Sequence, residues 1–282
     1  MTRVGAIGHD RSVAEELRFR KDLYQGAAED YDRFRPPYPA QLFTDFHARV
    51  PLRDDARVLD LACGTGQITF GLAAHVGEVV AIDQEPSFVE YGRAKAERLA
   101  LGNIEWRTGS AEDVPLDGVF DLVGIGNAFH RLRRGAVAER LLPHLADGGC
   151  VALVWGNTPW NGDGDWQVAY RDVLDRWQDE MQARDRVPSG WEQAIERDPH
   201  AEVLRRAGLA YEGERTFPVD QRWTADSLIG LTYSTSFLSR AVLGDRAREF
   251  ERDLRDRLLA CRPDGGFDHR LDFAYELARK IS

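Results

Sequence analysis

The residues best placed to do chemistry in this chain converge on one stretch, Val58-Leu59-Asp60-Leu61-Ala62-Cys63-Gly64-Thr65-Gly66. An apolar run that reaches a carboxylate and then turns through two glycines lets backbone approach a ligand closely, because glycine lacks a Cβ and tolerates positive φ. Twenty-three residues beyond Asp60, a second apolar run, Val79-Val80-Ala81-Ile82, closes on Asp83. A carboxylate at that point suits a ribose, since it can accept from both the 2′ and 3′ hydroxyls. The glycine turn alone is a weak signal. Paired with an acid closing the next apolar run it is much stronger.

Two ligand classes compete for this layout. A dinucleotide site needs G-x-G-x-x-G, with pyrophosphate on the helix start. Here Gly64-x-Gly66 is followed by Thr69 where the third glycine belongs. Asp60 would also repel a pyrophosphate beside it, whereas a cationic ligand would be attracted. S-adenosylmethionine (SAM) carries an ammonium and a sulfonium and no phosphate, so it suits the position where a nicotinamide dinucleotide does not.

The elements that must position these acids follow from periodicity. Short apolar runs at 57–61, 79–83, 120–125 and 150–155, and an alternating stretch at 104–107, are interleaved with helical stretches at 67–75, 86–101 and 136–146, the last closed by Gly148-Gly149. That alternation predicts βαβ units and a doubly wound, mostly parallel Rossmann-like sheet. Residues 209–219 and 271–279 read as two closing strands, making seven. Between strands, Trp166, Tyr170, Val173, Leu174, Trp177 and Met181 recur at helical spacing, as do Phe250, Leu254 and Leu258. Such stripes read as core packing, although the first also suits a lid over a substrate site. The expected organisation is a helical extension over 1–50 and one domain over 51–282, with helical insertions at 157–205 and 224–262 capping the substrate.

In order and spacing, VLDLACGTG at 58–66, VVAID at 79–83, GSAEDVP at 109–115, DLVGIGNAFH at 121–130 and LLPHLADGGCVALVW at 141–155 resemble the class I SAM-dependent methyltransferases. The likeness is to the small-molecule, type 11-like group and covers about a third of the chain. Upstream, Tyr31-Asp32-Arg33-Phe34-Arg35-Pro36-Pro37-Tyr38-Pro39 resembles a segment that precedes the fold in a subgroup including trans-aconitate methyltransferase-like proteins. The resemblance implies that Asp60, Gly64 and Gly66 line the methionine end of SAM, with Ala62 contributing backbone. It places Asp83 on the ribose, Gln84 at the adenine edge, and Ser110, Ala111 and Glu112 facing adenine. Many relatives have Asp where this chain has Ser110. Asn127 and Ala128 would border the cofactor, Arg35 would pair with its carboxylate, and Tyr31 would close over it.

Methyl transfer from a sulfonium is an in-line displacement, so alignment matters most, and an oxygen acceptor gains from a base. His130, after the fourth strand, is the candidate base, with a scaffold role as its rival reading. Trp155, Asn157 and Trp160 follow the fifth strand at the sheet edge where open α/β folds bind ligands, and Tyr233 and Ser236 lie in the second insertion. These are the candidate acceptor contacts. The other histidines, His200 among them, show no acid partner in sequence and read as solvated or capping groups. No cluster has metal-ligand spacing, and Cys63, Cys150 and Cys261 are too dispersed for a metal site or disulfide framework.

The wider composition bounds the partners. With 37 basic and 47 acidic residues, the net charge of −10 makes a nucleic-acid partner unlooked-for. No apolar run reaches membrane-spanning length, and residues 1–20 are too charged for a secretory hydrophobic region, so the expectation is a cytoplasmic monomer or homodimer. The expected activity is metal-independent transfer of a methyl group from SAM to a small molecule, foremost on oxygen, in a natural-product setting. Nitrogen or carbon acceptors are the rivals, as is a SAM-binding protein that catalyses a non-methylating cyclisation.

Overall fold

The computed structural model describes residues 20, 22–50, 52–188 and 190–281. His9 and most of the first half of the expected N-terminal extension lie outside the described residues. The elements in chain order are α1 (Ala28–Phe34), α2 (Ala40–Arg49), β1 (Arg57–Leu61), α3 (Gln67–Leu72), β2 (Glu78–Asp83), α4 (Pro86–Arg98), β3 (Ile104–Thr108), β4 (Phe120–Gly126), α5 (Arg134–Leu141) and β5 (Leu145–Gly156). They continue as α6 (Asp165–Glu180), α7 (Trp191–Arg197), α8 (His200–Arg206), β6 (Leu209–Trp223), α9 (Ala225–Tyr233), α10 (Arg240–Leu243), α11 (Ala247–Cys261) and β7 (Phe267–Lys280).

One seven-stranded sheet runs β3-β2-β1-β4-β5-β7-β6. The first five strands are parallel, and β7 is antiparallel to both β5 and β6. The strand order reverses between β1 and β4, and such a switch point opens a crevice at the carboxyl ends of the strands. The runs that make β1, β2 and β4 are buried on both faces, as a parallel sheet covered by helices requires.

Two expectations about element boundaries are corrected. The stretch 136–146 is not one helix closed by Gly148-Gly149. Instead α5 stops at Leu141, a short 3₁₀ turn follows, and β5 begins at Leu145. The glycines lie inside that strand, where pairing with β4 jumps from Phe120↔Leu145 to Leu122↔Cys150. Gly148 has φ +74°, and a Cβ on Gly149 would stand 2.9 Å from the carbonyls of Ala146 and Phe120. The glycine pair therefore makes a bulge, not a helix cap. The closing strands also run longer than the apolar pattern suggests. β6 extends through Asp220-Gln221-Arg222 because an edge strand leaves alternate side chains in water.

Three helices, α6–α8, lie between β5 and β6, and three more, α9–α11, between β6 and β7. The aromatic stripe of α6 is core. Trp166, Tyr170, Val173, Leu174 and Trp177 are each at most 4% exposed, as are Phe250, Leu254 and Leu258 of α11. Trp177 and Phe250 meet edge to face at 5.5 Å, and Trp177 Nε1 donates to Asp253 at 2.6 Å. The Tyr170 hydroxyl bonds the Leu228 carbonyl and Thr232 of α9, tying the two groups of helices together.

The helix α1 joins this helical layer to the sheet. Asp32 accepts from Lys95 of α4 at 2.6 Å, and Asp30 accepts from Arg240 of α10 at 2.8 Å. Phe34 presses on Gly230 of α9 so closely that a Cβ there would come within 2.4 Å of its ring. Tyr31 lies between these anchors.

Candidate functional site

The first part of the site is built by the β1–α3 turn. Asp60 sits near the end of β1 and is 1% exposed. Its Oδ2 accepts from both the backbone N–H (2.9 Å) and hydroxyl (2.6 Å) of Thr69, which replaces the third glycine of a dinucleotide turn. Its Oδ1 is buried with no hydrogen-bond partner. Ala62 and Gly64 follow at φ +58° and +57°, and Gly66 at φ +96° has Trp106 where a Cβ would be, 2.7 Å away. Gly66 is thus required by conformation and by space.

Burial raises the Asp60 carboxyl to about 7, against the lowering effect of the two Thr69 hydrogen bonds and with Asp83 adding to the rise. An unpaired buried carboxylate is costly, and one that meets a cation regains that cost. Asp60 lines a cleft of about 80 Å³ bounded also by Tyr31, Arg35, Tyr38, Ala62 and Asn127. The orphaned oxygen fits an ammonium. The residues present therefore suit the amino-acid end of SAM, and the cleft has room for that end alone.

The remaining expected cofactor contacts fall into two groups. Asp83 is buried at the end of β2, accepting from the Gly64 N–H at 2.8 Å and the Glu85 N–H at 2.9 Å, and burial raises its carboxyl above the usual range. It braces the glycine turn directly. Gln84 is exposed beside it. Ser110 accepts from the Glu112 N–H, Ala111 is buried, and the Glu112 carboxylate is held by the Arg133 N–H (2.9 Å) and Nε (2.8 Å). None of Asp83, Gln84, Ser110, Ala111 and Glu112 lines the cleft at Asp60. Between the groups, Tyr31 packs on Phe88 at 5.0 Å and lies over Gly64. Arg35, expected to meet a carboxylate, donates through Nε and Nη2 to the hydroxyl and carbonyl of Ser234. Asn127 adopts φ +48° and donates to the Tyr38 hydroxyl at 3.1 Å.

A second cavity of about 790 Å³ adjoins the first, sharing Tyr31, Arg35, Asn127, Gly156, Asn157 and Thr158 with it. Ala128, His130, Trp155, Trp160 and Ser236 also line it. Its volume lies within the range of small-molecule sites, roughly 300–1,000 Å³. Asn157 spends its side chain on β7, accepting from the Asp272 N–H at 3.0 Å. Ser236 is buried, its carbonyl accepting from Arg186 at 2.7 Å.

Two expectations do not fit the geometry. Tyr233 lines neither cavity. It is 1% exposed in the α9–α11 core, its hydroxyl donating to Glu251 at 2.8 Å, because it falls on the face of α9 turned toward α11. His130 does border the large cavity, but its Nε2 accepts from Arg131 Nε at 3.2 Å and its ring stacks on Trp191 at 4.8 Å. Burial, then the Arg131 guanidinium, push the imidazole down to about 3. Weak basicity and an acceptor nitrogen engaged by Arg131 favour the scaffold role over the base.

Among the cavity residues that sequence reasoning did not assign to the site are Trp191, His200 and Glu276. Trp191 opens a short helix whose pattern carries no apolar stripe. His200 and Glu276 are brought together only by the docking of α8 on β7, and no local signal marks them.

Known proteins resemble the part of the chain that carries this geometry. Residues 58–149 match a model of a methyltransferase domain. An uncharacterized methyltransferase of Mycobacterium tuberculosis is 33% identical over 140 residues, 48% of this chain and 54% of that one. A ubiquinone/menaquinone biosynthesis C-methyltransferase of Zymomonas mobilis is 28% identical over 162 residues, 54% of this chain and 66% of its own. The chain spans about half the length of the first curated relatives it matches. Among solved structures, one described as a candidate type II methyltransferase from Anaeromyxobacter dehalogenans superposes with a TM-score of 0.60 at 20% identity, covering 88% of this chain and 98% of that chain. That likeness concerns the fold. The cofactor of this methyltransferase family is SAM.

The raised Asp60 carboxyl makes cofactor affinity pH-dependent. An ammonium favours the ionised acid, so SAM binding releases a proton below about pH 7. Affinity is therefore expected to rise as pH increases through about 7, and to fall again once the α-amino group of SAM loses its proton near roughly 8. Without ligand the sign is opposite. A carboxyl raised in the folded state favours folding at low pH, and that contribution is lost as pH climbs to about 7. Calorimetric titration across this range, with proton release read from buffers of different ionisation enthalpy, checks the first expectation.

Proposed function

We propose that this chain transfers the methyl group of SAM to a small-molecule acceptor held in the large cavity. The observation that carries the reading is the unpartnered, buried Oδ1 of Asp60, a residue lining a cleft that shares six residues with a cavity of about 790 Å³. Bound SAM supplies an electrophilic methyl on a sulfonium. The chain supplies placement. Asp60 would hold the ammonium, and Asp83, Gln84 and the 110–112 turn would hold the adenosine. Arg35 then adjoins the carboxylate while keeping its hold on Ser234. The packed rings of Tyr24, Tyr31 and Phe88 would cover the bound cofactor and exclude water.

Oxygen is our proposed acceptor atom, with a natural-product setting. The Zymomonas relative's name describes a C-methyltransferase, which makes carbon the alternative. Metal-independent transfer is supported by the donor set: among the described residues no three His, Cys, Asp or Glu side chains are grouped to hold an ion. No described helix is long and apolar enough to cross a membrane. The test is incubation with SAM and a panel of hydroxylated and C–H-acidic acceptors. We expect one S-adenosylhomocysteine released per methylated product. Product formed without S-adenosylhomocysteine would replace transfer by a non-methylating reaction.

A further inference from the structure

The end of the large cavity formed by α8 and β7 holds a buried acid–imidazole pair that the family motifs do not include. His200 Nδ1 stands 3.6 Å from Glu276 Oε2, both side chains being 15% exposed. Glu276 sits opposite Leu153 on β5, and all three residues line the cavity. Burial raises the Tyr211 hydroxyl, which lies close enough to the same carboxylate to be raised further by it. Two polar atoms of the pair are left over: His200 Nε2 and Glu276 Oε2 are both buried without a hydrogen-bond partner. Phe129 meets the imidazole edge to face at 5.2 Å, and Asp198 and His130 lie within electrostatic reach of it.

Buried polar groups are normally satisfied, and an orphaned pair on a cavity wall is explained by a ligand that completes it. The carboxylate beside Nδ1 selects the tautomer with the proton on that nitrogen, which leaves Nε2 a lone pair to offer. A hydroxyl is the matching group, because it can donate to Nε2. The other cavity walls present the rings of Tyr24, Trp155, Trp160, Trp191 and Phe237, surfaces that favour a flat ring system.

We propose that His200 and Glu276 form a recognition subsite for a hydroxyl group carried by a flat aromatic acceptor. This rests on reading the cavity as the acceptor's, and it assigns the acceptor class. The pair acts in selection. A site built to bond a hydroxyl rejects the analogue that lacks it, because the polar pair would then be re-buried unpaired.

The probes are 7-hydroxycoumarin and coumarin, alike in shape and differing by one hydroxyl, titrated by ligand-observed NMR into the full chain at a pH that keeps the hydroxyl protonated. The expected result is a preference of about tenfold or more for the hydroxylated probe, reduced to about twofold or less in His200→Leu and in Glu276→Gln. Calorimetry with SAM on the same variants shows that each is folded and cofactor-competent. Equal binding of the two probes by the natural chain would overturn the subsite, as would a preference that survives both substitutions. Binding of neither probe by a chain that binds SAM would overturn the aromatic class. Failure of SAM to bind while the hydroxyl preference appears would instead remove the methyltransferase reading and leave the subsite standing.

Discussion

Asp60→Asn is expected to bind SAM about 100-fold more weakly than the natural chain, a loss of about 2.7 kcal/mol. Asparagine can keep its carbonyl oxygen where Oδ2 now accepts from the Thr69 N–H and hydroxyl, so the turn retains its internal bonds. The amide NH₂ then falls where Oδ1 is buried without a partner. A donor in that position opposes an ammonium, and a charge-assisted hydrogen bond is exchanged for a repulsion. Hydrogen bonds to charged groups contribute about 1.5–3 kcal/mol, and leaving a buried charge unpaired costs about 3–5. The same variant should lose the rise in affinity through about pH 7 that the raised Asp60 carboxyl produces. Titration calorimetry reads both effects. Unchanged affinity would move the ammonium away from Asp60.

The second large effect concerns stability. Trp177→Ala removes the ring that joins α6 to α11, where Phe250 lies edge to face at 5.5 Å, the Arg246 guanidinium covers the indole at 4.4 Å, and Asp253 accepts from Nε1. Truncating a buried Trp costs about 3–5 kcal/mol. At roughly 2–4 °C per kcal/mol the melting midpoint should fall by about 10 °C. Thermal unfolding followed by circular dichroism measures it. A shift of only one or two degrees would mean that α6 is a loosely held lid, the reading its sequence left open. The geometry favours core, because all the stripe residues from Trp166 to Trp177 are covered.

The parts of this molecule legible in sequence are those whose signal is local. Asp60, the glycine turn and Asp83 lie within two consecutive strands, and the chemistry that separates an ammonium from a pyrophosphate is written in residue types there. The five leading strands follow for the same reason, four as short, mostly apolar runs and β3 as an alternation of apolar and polar residues. The misread elements are those whose conformation depends on a neighbour. Gly148 and Gly149 look like a helix stop but form a bulge because β4 pairs on both sides of them. Tyr233 carries a hydroxyl suited to a substrate site, yet packing of α9 against α11 turns it inward onto Glu251.

The acceptor end was harder still. His130 stands in the motif region and looked like the imidazole that matters, but Arg131 occupies its Nε2 and the ring lies against Trp191. His200 appeared partnerless because its acid, Glu276, belongs to the last strand and arrives only when β7 inserts between β5 and β6. Likewise Thr69 counted only as a missing glycine in the sequence, while in the fold its N–H and hydroxyl fix the Asp60 carboxylate. Tertiary pairing assigns these roles.

The central claim is that the cleft at Asp60 is built for the cationic amino-acid end of SAM and not for a pyrophosphate. Calorimetric titration of the full chain with SAM, S-adenosylhomocysteine and NAD tests it most directly. The expected result is one-to-one binding of SAM and S-adenosylhomocysteine with no measurable heat from NAD. Binding of NAD more tightly than either would contradict the account.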